Sequence, residues 1–251
     1  MIRRLRNLTS KKYFHMVMMI VIIAIILFIL GIIILKYNVE GETNMPFQLS
    51  KISIISSSEG IDKEVAETKW AFDVYQSNDV FLYIDKNDGY AKTEAIKSIE
   101  INNIQIEAKQ KDNIVIYKPD EQEEKLIFKN KEENIVQSIE YIGDIESNLK
   151  QLKISNQGGL VAFRCSNNNL VEYTSNDEEA IYHNELLKKA GITPEDLETK
   201  ITFDIIIKLE DGKEYKATIH LDFPVGNVIE EGTTSMEITD LKDFIFKRVN
   251  N

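Results

Sequence analysis

The stretch KITFDIIIKLEDGKEYKATIHLDF, Lys200–Phe223, predicts a β-hairpin and with it a β-rich fold. Apolar and polar residues alternate on both sides of a loop that ends in Gly212, as in two half-buried strands. A two-residue turn at Asp211-Gly212 would set Phe203 against His220 and mix the two faces. A three-residue loop with Gly212 in the left-handed conformation makes every pair on one face apolar. These pairs are Ile207 with Tyr215, Ile205 with Ala217, Phe203 with Ile219, and Ile201 with Leu221.

The other face of this hairpin is polar. Lys208 is expected opposite Glu214, so that opposite charges meet across the two strands. His220 is expected opposite Thr202, which makes it a polar residue on a strand face rather than a catalytic candidate. The hairpin therefore has one buried face and one solvated face.

Further strand patterns occur upstream. FQLSKISII (47–55) and KWAFDVY (69–75) show the alternation of half-buried strands. DVFLYID (79–85) is apolar on both faces, which is typical of a central strand. QSND (76–79) offers turn residues between the last two, and SSSEG (56–60) is interpreted as a loop. The region is expected to hold several strands separated by turns.

The stretch SIEINNIQIE (98–107) allows two structures. A two-residue turn at Asn102-Asn103 would form a hairpin with isoleucines paired on one face, and this is the preferred prediction. The alternative is a single bent strand with a bulge at the two asparagines, because the apolar parity also changes there.

One stretch predicts an α-helix, near residues 178–190. Ser175–Asp177 supply capping residues, acidic residues occupy the first turn, lysines occupy the last turn, and Gly191 follows. Thr193 then caps a second short turn with Pro194 at its first position. The β-rich part is thus expected to carry one short helical insertion.

The N-terminal stretch HMVMMIVIIAIILFILGIIILK, His15–Lys36, predicts a transmembrane helix. Residues 16–35 carry no charge and, at about 1.5 Å rise per residue, match a hydrocarbon core about 30 Å thick. The run is too long for a secretory signal and lacks its cleavage site, which favours an anchor retained in the lipid bilayer over a cleaved or buried segment. Basic residues cluster before the span, so we expect a cytoplasmic N-terminus in the cell membrane and residues 37–251 outside.

The predicted exterior is strongly acidic. Residues 1–36 hold six of the 30 basic side chains and none of the 41 acidic ones, so the remaining 24 basic and 41 acidic side chains give a formal charge of −17. Such a surface repels phosphate backbones, and we therefore expect no nucleic-acid partner.

These patterns predict a mainly β protein with an N-terminal transmembrane helix. The extracytoplasmic region is expected to be sandwich-like, as two immunoglobulin-like units, with a single larger β-domain as the alternative. The predicted parts are a basic cytoplasmic tail over 1–15, the transmembrane helix over 16–35, a tether over 36–46, a β-domain over 47–146, and a second β-domain over 147–251 with the helix near 178–190.

The sequence carries no motif that indicates catalysis, a cofactor or a metal. His15, His183 and His220 lack metal-ligand spacing. DKNDGY (85–90) has its glycine at the fifth position, where a calcium loop needs it at the sixth, and predicts a tight turn. Cys165, the only cysteine, is expected to be a buried structural thiol. We predict no catalytic, cofactor-binding or metal residue, although a glycosidase-like carboxylate pair would leave no sequence trace.

Three stretches resemble a group of uncharacterised bacterial single-pass membrane proteins. They are WAFDVYQSNDVFLYIDKN (70–87), KISNQGGLVAFRCSNNNL (153–170) and LEDGKEYKATIHLDFPVGN (209–227). The resemblance implies no known activity, so it assigns no functional residue.

The expected function is binding in the cell envelope, without catalysis. The partner would be an envelope protein or a glycan, held by the mainly β extracytoplasmic region. One alternative is a membrane-anchored envelope hydrolase that uses carboxylates as glycosidases do. The other is a sensory or regulatory accessory subunit of another membrane protein.

Overall fold

The chain forms two compact units, Met1–Thr43 and Asn44–Asn251, in a computed structural model. Side chains are described from Tyr13 onward. The described residues are 2–63, 70–122, 126–148, 151–175 and 181–249.

The first unit contains one long helix, α1, Ile2–Glu40. Its part from Tyr13 to Glu40 is long and apolar enough to span a membrane, and its apolar side chains are exposed. Gly41 ends the helix with a positive φ of 71°, and its N–H donates to the carbonyl of Tyr37 at 2.8 Å. Residues 36–40 of the predicted tether are therefore helical.

The second unit is mainly β and contains two sheets. The first sheet has the order β10-β1-β2-β7-β4, and the second has the order β11-β9-β8-β3-β5-β6. The strands are β1 Phe47–Asp62, β2 Trp70–Lys86, β3 Ile96–Ala108, β4 Ile114–Tyr117, β5 Ile139–Asp144, β6 Lys153–Ser155, β7 Gly159–Ser175, β8 Thr199–Leu209, β9 Glu214–Asp222, β10 Thr233–Ile238 and β11 Lys247–Val249.

Side chains of both sheets share one large apolar cluster. Phe163 of β7 and Phe203 of β8 meet edge to face, with ring centroids 5.2 Å apart. The hydroxyl of Tyr141 on β5 donates to the carbonyl of Ala162 on β7 at 2.7 Å. This fully buried polar group is therefore satisfied across the two sheets.

The hairpin of β8 and β9 has the predicted register. Every apolar pair expected on the buried face is present, and so are the Lys208–Glu214 and Thr202–His220 pairs. Gly212 has a φ of 85°, as the three-residue loop requires. The expectation is confirmed because matching apolar faces leaves only one loop length.

The hairpin preferred at Asn102-Asn103 is wrong, and the alternative is confirmed. β3 runs through both asparagines, and its pairing with β8 shifts register between Asn102 and Gln105. Asn103 takes the left-handed φ of 51°, and its amide donates to Asp204 at 2.6 Å. The chain therefore bulges instead of reversing, because β8 provides a partner on both sides of the irregularity.

Two other predicted breaks are also wrong. The SSSEG segment lies inside β1 instead of a loop, and QSND lies inside β2 instead of a turn. Each residue of both segments has a partner on a neighbouring strand. Strand β2 does lie between β1 and β7, which confirms the prediction of a central strand there. Pairing on both sides outweighs the turn preference of these polar residues.

The polar residues inside β1, β2 and β7 form what we call the polar seam: Ser56, Ser58, Gln76, Asn78 and Asn167. Each side chain is 7% exposed or less. Along β2 and β7 the seam separates the large apolar cluster from a smaller one. The smaller cluster contains Phe72, Val74, Leu170, Leu186, Leu187, Leu197 and Val228.

The helical insertion is shorter than predicted. A 3₁₀ turn, His183–Glu185, leads into α2, Leu186–Lys189, and the predicted residues 178–180 lie outside the described part. Leu186 is fully buried against β1, where Gly60 permits the approach because a Cβ there would lie 2.5 Å from Leu186 Cδ1. Two more short helices follow, α3 Pro194–Leu197, which has the predicted Thr193 cap, and α4 Val228–Glu231.

The boundary expected at residue 147 does not separate two compact units. Strand β7 pairs with β2 and β4, and β8 pairs with β3, so both sheets contain strands from 47–146 and from 147–251. Asn44–Asn251 forms one unit, as in the single-domain alternative.

Candidate functional site

A groove of about 580 Å³ lies on the face of the first sheet that points away from the large apolar cluster. Residues from β1, β2 and β7 line one side, and the loop over residues 126–130 lines the other. We call it the Arg164 groove and define it by Glu59, Tyr75, Asp79, Phe81, Phe128 and Arg164.

Arg164 and Asp79 form an ion pair on the floor of the groove. They are register partners on β7 and β2, and their side chains are only 16% and 17% exposed. Arg164 Nε donates to Asp79 Oδ1 at 2.6 Å, and Nη2 donates to Oδ2 at 3.0 Å. Burial is the largest single effect and disfavours the charged guanidinium, but the hydrogen bonds to Asp79, the charge of Asp79 and the nearby Glu59 carboxylate together raise the Arg164 pKa.

The same guanidinium holds the loop on the other side of the groove. Arg164 Nη1 donates to the Phe128 carbonyl at 3.4 Å and to Asn130 Oδ1 at 3.3 Å. Its Cζ lies 5.2 Å from the centre of the Phe128 ring, and that ring meets Phe81 at 6.5 Å. All three guanidinium nitrogens are thus engaged, so Arg164 acts as a clamp.

Asp120 fixes the start of this loop. Its side chain is 2% exposed, and its Oδ1 accepts the N–H of Gln122 at 2.9 Å. The ammonium groups of Lys129 and Lys131 lie 3.5 and 3.7 Å from its Oδ2. The backbone hydrogen bond and the two cations together lower the Asp120 pKa. The Asp120 N–H also donates to the carbonyl of Ile127 at 2.9 Å, so the loop is tied at backbone and side chain.

Glu59 and Tyr75 form the open wall of the groove. They are register partners on β1 and β2, and the Tyr75 hydroxyl donates to Glu59 Oε2 at 2.5 Å. Burial and the contact with Glu59 raise the Tyr75 pKa, so the phenol stays a donor. Among the described residues, no Lys, Arg or His nitrogen lies within 4.0 Å of a Glu59 carboxylate oxygen. Ile61 and Ile127, which are 58% and 39% exposed, flank this wall.

Two carboxylates, Glu59 and Asp79, line one groove, as a carboxylate-based hydrolase would require. Asp79 is poorly suited to that role because Arg164 donates to both of its oxygens. Glu59 has no such ion pair, and among the described groups it accepts a hydrogen bond only from the Tyr75 hydroxyl. The arrangement is therefore better suited to holding a ligand than to transferring protons.

The other residues considered in the sequence lie elsewhere. Cys165 is 1% exposed on β7, and burial raises its thiol pKa, which confirms the expectation of a buried structural thiol. His220 Nδ1 lies 2.9 Å from the Thr202 hydroxyl on the solvated face of the hairpin. His183 is exposed and packs edge to face on Phe72, with ring centroids 5.5 Å apart.

The DKNDGY segment forms the predicted tight turn. The Asn87 side-chain oxygen accepts the N–H of Gly89 at 3.0 Å, and the Asn87 carbonyl accepts the N–H of Tyr90. Within the described part of the chain, no three His, Cys, Asp or Glu side chains come together as a metal site would need.

The Arg164 groove was not predicted from the sequence. Its members are 105 positions apart at the extremes, Glu59 to Arg164, and they meet only through strand pairing. One signal was available: Arg164 interrupts the apolar run GLVAFRC, and Asp79 precedes the apolar run VFLYI. A charge inside a buried strand requires an opposite charge on a neighbouring strand, which would have linked the two.

No protein-family model, no curated protein and no solved structure matches this chain. The resemblance to bacterial single-pass membrane proteins therefore stays a prediction.

Proposed function

We propose that this chain is a single-pass membrane protein whose second unit binds a partner in the cell envelope without catalysis. The N-terminus is cytoplasmic and residues 37–251 are extracytoplasmic, because the basic residues cluster before the apolar span. The exposed apolar side chains of Tyr13–Glu40 support the anchor. The apolar cluster shared by two sheets supports a sandwich architecture for the exported unit.

The observation that carries the binding role is the Arg164 groove. Its floor and loop are fixed by hydrogen bonds of Arg164 and Asp120, so the groove is preformed. Its open wall presents Glu59, Tyr75 and Ile61, which combine charge, an aromatic ring and apolar surface. Preformed concave sites of this mixed chemistry are typical of ligand binding.

The test is position-specific photo-crosslinking of the full-length protein in its native membrane. A photo-reactive residue replaces Ile61 in the groove, and a matched variant carries it at Ile142, which is 49% exposed on β5 of the second sheet. We expect one recurrent adduct from position 61 and none of that mass from position 142. Equal patterns from both positions, or no adduct at position 61 in a folded protein, would contradict the proposal.

A second candidate function, a carboxylate hydrolase, is favoured by one observation, the presence of Glu59 and Asp79 in one groove. It predicts that the membrane-bound protein cleaves a cell-wall glycan and that Glu59→Gln abolishes cleavage. Release of reducing ends measures this activity. The binding proposal predicts no cleavage by either form.

A further inference from the structure

Each cation that lines the Arg164 groove already has an anionic partner. Arg164 is paired with Asp79 through two hydrogen bonds, and Lys129 lies 3.5 Å from Asp120. Glu59 differs, because it has no ion pair among the described residues, and its side chain is exposed. The groove thus offers a ligand one exposed carboxylate that no ion pair holds among the described residues, and its Coulombic interaction with Arg164 acts over a longer distance.

The walls beside this carboxylate suit a cation on a long aliphatic stem. Tyr75 and Phe81 line the groove and are half-buried, so each keeps part of its surface available. Aromatic rings attract ammonium and guanidinium groups, and the effect adds to that of a nearby carboxylate. Ile61 and Ile127 provide apolar surface on which the methylene groups of a lysine or arginine can pack.

The charge of the whole exported region acts in the same direction. A formal charge of −17 over residues 37–251 attracts cationic partners and repels anionic ones at long range. An anionic cell-wall polymer would therefore meet repulsion, and a neutral glycan could form hydrogen bonds but no ion pair with Glu59.

We propose that the Arg164 groove binds a lysine or arginine side chain of an extended segment of a partner polypeptide, with Glu59 as the counter-charge. This inference rests on the proposed function, that the exported unit binds a partner. It adds the chemistry of the partner and the residue that selects it.

The test measures binding of a defined peptide to the full-length protein in lipid nanodiscs. The probe is acetyl-Arg-Leu-Arg-Leu-Arg-amide with a fluorescent label, and the matched neutral probe has citrulline at each arginine. We expect Glu59→Gln to weaken binding of the arginine probe about fivefold, the upper range for one exposed ion pair. The control Glu107→Gln removes the same charge from an exposed position on β3 and should change affinity less than about twofold.

A Tyr75→Phe variant separates the ring from the hydroxyl. It keeps the ring and frees Glu59 from its hydrogen bond, so binding should persist, whereas Tyr75→Leu should weaken it. Thermal unfolding of each variant verifies that it is folded.

Equal affinity for the arginine and citrulline probes would overturn the inference, and so would equal effects of the two glutamate substitutions. If the arginine probe does not bind while the photo-crosslinked adduct at position 61 persists, the binding function stands and the proposed cationic chemistry of the partner is wrong. If both fail, the binding function itself is wrong.

Discussion

The two ends of strands β1, β2 and β7 belong to the same sheet but are covered differently. One end packs on the second sheet and contributes to the large apolar cluster around Phe163 and Phe203. The other end packs on the short helices, where Phe72 belongs to the smaller cluster. Between them lies the polar seam, which holds fully buried Ser56. Continuous strand pairing therefore unites regions whose side-chain chemistry changes completely along the strand.

The polar seam is costly unless its groups find partners. Ser56 and Asn78 are register partners, and the serine hydroxyl bonds the asparagine carbonyl oxygen. Gln76 Nε2 and Asn167 Oδ1, in contrast, have no hydrogen-bond partner among the described protein groups. The large cluster consists of close-packed apolar side chains, and the seam depends on specific hydrogen bonds. The two regions should respond differently to substitution.

The largest effect is expected in the large cluster. Phe163→Ala should lower the free energy of unfolding by about 4 kcal/mol, because it removes a fully buried ring and leaves a cavity between two sheets. The matched Phe72→Ala should cost about 3 kcal/mol, because short helices can partly collapse onto the space. Denaturant unfolding of both variants measures the difference. A larger loss at Phe72 would reverse the comparison.

The next effect concerns the ion pair that clamps the loop of the groove. Arg164→Met should cost about 3 kcal/mol, because it leaves Asp79 unpaired in a position that is only 17% exposed. The double variant with Asp79→Leu should recover at least half of that loss, because no unpaired charge remains. A double-mutant cycle by thermal unfolding measures this. Strictly additive losses would show that the pair does not couple the strands.

Within the polar seam, Asn78→Leu should cost about 2 kcal/mol, because it leaves the buried Ser56 hydroxyl without its partner. Adding Ser56→Ala should return part of the stability, since both polar groups are then gone. Chemical denaturation of the single and double variants gives the coupling. If the double variant is less stable than Asn78→Leu, the hydrogen bond does not account for the seam.

A smaller effect is expected at the hairpin loop. Gly212→Ala should cost about 1 kcal/mol, because φ is 85° and a Cβ disfavours that conformation, although nothing lies within 4 Å of the added atom. The control is Gly191→Ala at the end of a helix, where φ is 73° and nothing lies within 4 Å of the added atom. It should lower the free energy of unfolding by a similar amount. Thermal midpoints compare the two.

The smallest effect is pH dependence at the helical end of the sheet. Hydrogen bonds from Lys109 and from the Thr193 N–H and hydroxyl lower the Asp196 pKa from 3.8 to about 2. The folded-state pKa is depressed, so its contribution is present above pH 3.8 and is lost as pH falls towards 2. Asp196→Asn should therefore lose less stability than the parent between pH 4 and pH 2. Equal acid sensitivity would contradict the assignment.

The sequence predicted features that depend on neighbours close along the chain. The β8–β9 register followed from apolar pairing across three loop residues, and the Thr193 cap followed from its local motif. The breaks expected at QSND and at Asn102-Asn103 are absent, because strands distant in sequence pair with these segments. Strand β7 pairs with QSND, and β8 pairs with β3 both before and after the two asparagines. The Arg164 groove was missed for the same reason, since β1, β2 and β7 must first assemble. Local patterns indicate strands, and long-range pairing decides where they continue.

We propose that the second unit lies outside the membrane on a retained anchor. The most direct measurement is cysteine labelling of intact cells with a membrane-impermeant maleimide. One variant carries Ser138→Cys, an exposed position before β5, and the other carries Ser10→Cys, before the apolar span. Cys165 is buried and serves as the unlabelled internal control. The account predicts labelling of the residue-138 variant alone, and labelling of the residue-10 variant alone would contradict it.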